Sequence, residues 1–298
     1  MLHGNARGAI LMVLAMAGFA IEDTFIKLAA ATLPVGQILI VIGIGGALAY
    51  GAFAVLRGTV PLPLGILRGA SGIRALFEGL AAIFFVTGLS LVPISIVTTI
   101  IQANPLLVTI GAALFFRETI GWRRWSAIVI GLIGVLIVLR PFGQGFEAAT
   151  LFTVAGVIAM SARDLATRRI PPVFSTVQLS TLGFAATIPA GAVALLIEGA
   201  GFARPDIAAT AYLAGAIAIG IPALYCIIAA MRLGEISFVA PFRYSRIVFG
   251  LLVGVLVFRE TLDGYTILGA TIICASGLYT FLREARLRRP SPAAPVAL

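Results

Sequence analysis

The sequence predicts an all-α polytopic membrane protein with ten transmembrane helices. Three observations predict it. Sixty per cent of the 298 residues are hydrophobic and only 11% are charged, against about a quarter charged in a soluble domain, too few to cover a soluble surface. Mean hydropathy is +1.10, and it gathers in ten apolar runs close to the ~20 residues that a helix needs to cross a bilayer. The arginines collect between these runs, on alternate turns. Runs this long and continuous exclude a β-barrel, whose strands are short and alternating. The same composition excludes disorder and coiled coil.

Each span has its own markers. The first, 8–30, is too long for a signal-peptide core and lacks a convincing A-x-A cleavage site, so it is retained. Pro34 separates it from the second, 35–56. Pro61 and Pro63 mark the connection to the third, 69–90, and Pro93 the tight turn into the fourth, 94–116. Trp122 and Trp125, beside Arg123 and Arg124, anchor the start of the fifth, 122–139. Pro141 and Gly143 follow it. The sixth span, 149–170, stops at Pro171 and Pro172. The seventh is 175–198, and Pro205 precedes the eighth, 208–231. The ninth and tenth are 236–258 and 264–282. The tail 284–298, with Pro290, Pro292 and Pro295, is expected to be a disordered cytoplasmic extension.

One face of the membrane collects Arg7, Arg57, Arg68, Arg117, Arg123 and Arg124 from the first half. From the second half it takes Arg163, Arg168, Arg169, Arg232, Arg283, Arg286, Arg288 and Arg289. The other face has Arg140, Arg204 and Arg259. The positive-inside rule then puts both termini in the cytoplasm of a multi-pass plasma-membrane protein. The net charge of +9 reads as this topology, with no nucleic-acid partner. His3 is the only histidine, and Cys226 and Cys274 both sit in apolar runs. That leaves no triad, no metal site and no resident cofactor, and argues against a membrane-embedded enzyme.

The two halves repeat one another. Phe116-Arg117-Glu118-Thr119 recurs in the second half as Phe258-Arg259-Glu260-Thr261, and at the same offset Ile94-Ser95 recurs as Ile236-Ser237. At almost the same offset Asp23 and Lys27 recur as Asp164 and Arg168, and Gln37 as Gln178. This predicts a five-helix repeat over 1–140 and a second over 141–283. An odd number of spans per repeat makes the second inverted relative to the first. Inverted repeats suit alternating access in a secondary transporter. A channel is the weaker reading, because no filter is visible.

The five-plus-five arrangement, Pro105-Leu106 and the Arg-Glu-Thr at 117–119 resemble the EamA-type transporters of the drug/metabolite transporter superfamily. The resemblance covers residues 8–282 and is nearest to bacterial exporters of aromatic and neutral amino acids. It implies export of such a metabolite. One departure is Ile247, which stands where the second repeat would echo Pro105, with Pro241 nearby to break the helix instead.

Charged groups inside spans locate a candidate substrate site, since each costs at least ~2.5–3.5 kcal/mol to insert. Arg74 and Glu78 share one face of the third span. Arg243, Tyr244 and Arg246 lie in the ninth, and at the repeat offset Gln102 matches Tyr244 and Asn104 matches Arg246. Such a cavity suits a small zwitterion. Arg243 or Arg246 takes a carboxylate, Glu78 an ammonium, and Tyr244, Tyr225 and Phe84 the side chain. The alternative for these charges is a set of structural ion pairs. Asp23–Lys27 and Asp164–Arg168 are expected as i, i+4 pairs with a structural or gating role, and Glu22 is a nearby acid. The alternative cargo is S-adenosylmethionine or another organic cation, disfavoured by the surplus of cavity arginines. Gly250-x-x-x-Gly254 reads as packing within the chain, leaving a monomer or weak homodimer surrounded by lipid.

Overall fold

The computed structural model describes residues 2–141, 147–233 and 235–287, and every regular element among them is helical. In order these are α1 (Leu2–Ala29), α2 (Val35–Leu56), α3 (Ala70–Leu91), α4 (Ile94–Ile101), α5 (Asn104–Phe116) and α6 (Trp122–Leu139). Then come α7 (Thr150–Thr167), α8 (Thr176–Glu198), α9 (Ile207–Leu233), α10 (Ile236–Val239), a 3₁₀ turn (Ala240–Tyr244), α11 (Ser245–Leu256) and α12 (Gly264–Leu287). Among the described residues, seven helical stretches are long and apolar enough to cross a membrane, and Gly264–Thr280 is a shorter apolar one.

Each of the ten expected spans falls on helix, but the fourth and ninth are broken. α4 ends by tightening, with Gln102 N–H bonded to Thr99 and Ala103 N–H to Ile100. Pro105 then opens α5, where a missing N–H does no harm. In the ninth span Pro241 sits in the 3₁₀ turn, as expected of the residue that breaks it. α12 runs to Leu287, past the expected end of the tenth span, and residues 288–298 of the expected tail lie outside the described residues. So does Gly143.

Local chemistry sets several helix starts. Ser175 and Gln178 form a reciprocal capping box on α8. Asp206 accepts the Ala209 N–H at the start of α9, and Asp263 the Thr266 N–H at the start of α12. Gly199 closes α8 in the left-handed conformation.

The bundle is apolar outside and polar within. Leu48, Leu56, Phe115, Leu136, Leu196 and Ile207 are exposed, whereas Asp23, Gln37, Thr98, Gln102 and Ser161 are buried. That is the distribution a lipid solvent selects. The principal helix pairs are α1 with α9, α2 with α8, α3 with α7 and α6 with α12. α2 and α8 cross where Gly36 and Gly191 meet, close enough that a Cβ on either would strike the carbonyl of the other. Gly250 and Gly254 pack within the chain, against Thr98 on α4 and against Glu260.

Polar ties fix which turns share an end. Arg232 reaches Thr176, Gln178 reaches the Val60 carbonyl, Arg168 pairs with Glu118, and Asn5 accepts the Glu235 N–H. These turns form the basic end. At the opposite end Gln37 bonds Ala203, Lys27 bonds the carbonyls of Leu89 and Val92, and Arg140 pairs with Asp263.

Candidate functional site

A cavity of about 480 Å³ lies between α1, α3, the α4–α5 break, α7, α8, α9 and the 3₁₀ turn. That volume is within the ~300–1,000 Å³ of small-molecule sites. Toward the opposite end it stops at Ile26, Leu39 and Val86, members of a core cluster that continues through Leu33, Leu89 and Val92. Toward the basic end its lining reaches Thr167, next to Arg168. A larger groove of about 710 Å³, between 62–67, α3 and α8, is lined by apolar residues and glycines alone. It lacks the polar groups that orient a ligand, so the charged cavity is the candidate.

Arg74, Glu78, Gln102, Arg243, Tyr244 and Arg246, expected from the sequence, all line this cavity. Asn104 stands just behind it, donating to Asp164 Oδ2 at 2.9 Å and accepting from Ser161 Oγ at 2.7 Å. Tyr225 is not brought in. It is 59% exposed, because it projects from α9 away from the lining residues Gly220, Leu224 and Ile227. Phe84 packs against Phe152 instead of lining the cavity.

The expected i, i+4 pairs of α1 and α7 do not form. Asp23, 3% exposed, turns inward to Arg246 at 2.6 Å. Lys27, one turn nearer the end, donates to the carbonyls of Leu89 and Val92, which close α3. Likewise Asp164 pairs with Arg163 at 2.9 Å, and Arg168 with Glu118. In both helices the acid serves the interior and the base serves the end. The contact of Asp23 with Arg246 has its counterpart, at the repeat offset, in Asp164 with Asn104. The tie of Gln37 to Ala203 is matched by that of Gln178 to Val60.

Arg163 belongs to the site and not to an end of the bundle, where the sequence put it. It bonds both Glu78, at 2.9 Å, and Asp164. The signal was its place two turns inside the expected sixth span. Glu78 is thereby saturated, holding Arg74 at 3.2 Å on its other oxygen. Arg74 Nη1 also donates to the Leu179 carbonyl. Arg246 carries Asp23 and lies 5.2 Å from the centre of the Phe19 ring.

Two charges are left over. The Arg243 guanidinium makes no hydrogen bond or close ion pair among the described residues, although it is attracted at longer range by the Asp164 carboxylate, and its carbonyl accepts from Gln102 at 3.1 Å. The Glu22 carboxylate likewise has no such partner among them and rests on Gly220. The surplus of arginines expected from the sequence is not found. Arg74, Arg163, Arg243 and Arg246 face Glu22, Asp23, Glu78 and Asp164 across one cavity.

An apolar bundle around a charged, ligand-sized cavity defines a multi-pass membrane protein. Residues 6–140 match the model of the EamA-like transporter family, and the chain is a membrane transporter. It is 29% identical to the riboflavin transporter of Rhizobium johnstonii, over 72% of this chain and 71% of that one. It is 27% identical to the S-adenosylmethionine uptake transporter of Rickettsia bellii, over 74% and 72% respectively. A solved crystal structure of 19% identity aligns with a TM-score of 0.60 over 97% of this chain and 99% of its own. At that identity the likeness shows the fold alone.

Proposed function

We propose that this transporter carries a small zwitterionic metabolite by alternating access between two inverted five-helix repeats, 1–140 and 141–283, with both termini cytoplasmic. The unpaired Arg243, in a cavity whose other arginines already hold carboxylates, carries the reading. A guanidinium without a close carboxylate, attracted only at longer range by Asp164, has its donors open to an anionic group, and a cargo carboxylate can fill them bidentately. Glu22 supplies the complementary carboxyl group. These two replace Arg246 and Glu78 as the cargo's charge partners, since the latter two are occupied. Paired contacts at the repeat offset support the repeats, and arginine placement supports the topology.

Within this class, the amino-acid export expected from the sequence requires the smallest cargo. S-adenosylmethionine has the same amino-acid head on a larger body, and a relative bears its name. A second reading is a neutral ring system, favoured by Phe19, Phe85, Phe184 and Tyr244 in the lining and by the riboflavin relative.

Counterflow in proteoliposomes tests all three. Vesicles loaded with unlabelled threonine, methionine, phenylalanine, tryptophan, S-adenosylmethionine or riboflavin receive the same compound labelled outside. Accumulation of a zwitterion, lost in Arg243→Gln, supports the proposal. Accumulation of riboflavin alone overturns the zwitterion in favour of the ring reading.

A further inference from the structure

The two ends of the bundle are held differently by equivalent residues. At the opposite end Lys27 Nζ donates to the carbonyls of Leu89 and Val92, at 2.7 and 2.6 Å. Glu260 accepts the N–H groups of Ile94 and Ser95, at 2.7 and 3.1 Å. A helix end leaves just such carbonyls and N–H groups without partners. One cation and one anion therefore grip the tight α3–α4 hairpin from both sides. Lys27 also lies 5.6 Å from the centre of the Phe258 ring, which ties it to the segment that carries Glu260.

At the basic end the equivalents of these two residues are Arg168 and Glu118. They bond each other at 3.3 Å, with side chains 47% and 46% exposed. The backbone around the two acids is alike. Arg117 and Arg259 both have φ of 54°. The N–H of Glu118 returns to Ala112 and that of Glu260 to Gly254, positions again equivalent in the two repeats. The same device is thus engaged at one end, while at the other its members hold each other. The engaged end is the one closed by Leu33, Leu89 and Val92. The cavity lining reaches the other end, at Thr167.

We propose that Lys27–Glu260 and Arg168–Glu118 are two latches that work in alternation. Each closes its own end by gripping a helix connection, α3–α4 for the first pair and, by the repeat, α9–α10 for the second. Each opens when its members release the connection and pair together. The assignment rests on the alternating-access reading, and its test separates the two.

Spin labels are placed in protein carrying Cys226→Ser and Cys274→Ser. Leu91→Cys with Thr261→Cys reports the opposite end. Thr119→Cys with Leu233→Cys, the repeat equivalents of that pair and likewise exposed, reports the basic end. Pulsed dipolar distances are measured in proteoliposomes. Glu260→Gln should lengthen the 91–261 distance and shorten 119–233, and Glu118→Gln should do the reverse. Each should shift the ratio of the two states by about tenfold or more, as loss of charge-assisted hydrogen bonds implies. Lys27→Gln gives a second route to the first result should Glu260→Gln not fold. Shifts in the same direction from both substitutions overturn the latches. So does wild-type protein whose two distances redistribute with cargo while the variants leave them unmoved, although alternation then stands. One fixed distance at each end, with cargo and in every variant, overturns alternation itself.

Discussion

Arg243 and Arg246 are close neighbours on the chain, yet replacing them should have different consequences. Arg246 neutralises a carboxylate that is 3% exposed, at 2.6 Å. Arg246→Gln strands Asp23 in the interior, and breaking a buried pair in this way costs ~3–5 kcal/mol of stability. Arg243 has no close carboxylate among the described residues, only the longer-range attraction of Asp164, so Arg243→Gln should lower the thermal unfolding midpoint in detergent less than Arg246→Gln does. It should instead remove a charge-assisted bond to the cargo, worth ~1.5–3 kcal/mol. That is roughly a 10- to 150-fold rise in the half-saturating concentration for counterflow. Adding Asp23→Asn to Arg246→Gln should restore most of the midpoint, because both members of the pair are then neutral. Equal midpoint losses for the two arginine variants would refute the reasoning, as would unaltered counterflow in Arg243→Gln.

Other outcomes follow from the same geometry. Gly220→Ala puts a Cβ about 2.5 Å from the Glu22 carboxyl carbon, so it should weaken cargo affinity at least tenfold, and Gly220→Ala with Glu22→Ala should restore the packing but not the affinity. Glu78→Gln takes the carboxylate from both Arg74 and Arg163, and it should lower the unfolding midpoint more than Glu118→Gln, whose partner is half exposed and whose pair is worth ~0–1 kcal/mol to stability. Gln37→Ala strands the N–H and carbonyl of Ala203, and a loss of ~1–3 kcal/mol should appear as a lower midpoint. Replacing Tyr225 by Ala should leave counterflow intact, since its ring lies outside the cavity lining.

The fold was legible because lipid imposes a coarse rule, in which long apolar runs between breakers must be helices. The broken fourth span was marked by Pro105 and the ninth by Pro241. The site was legible in its members but not in its pairings. Asp23 and Lys27 have helical i, i+4 spacing, and nothing within α1 reveals that Arg246 and the end of α3 are better partners. Arg163 sat beside Asp164 and was grouped with the turn arginines, although it lies two turns inside the expected sixth span. Tyr225 was placed in the cavity by residue type alone. On a helix as long as α9, one step in register turns a side chain by about 100°.

The Asp23–Arg246 contact spans 223 residues of chain. At ~5–20 residues per second, a ribosome takes about 11–45 s to pass from one to the other. For that interval α1 is already made and its acid lacks Arg246. The Arg74–Glu78 and Arg163–Asp164 pairs can form as soon as their own helices are made, whereas the pairing of Asp23 waits until most of the polypeptide has been synthesised. A chain stopped short of α11 would leave Asp23 without Arg246, so the first helix gains its partner charge only when the second repeat is almost complete.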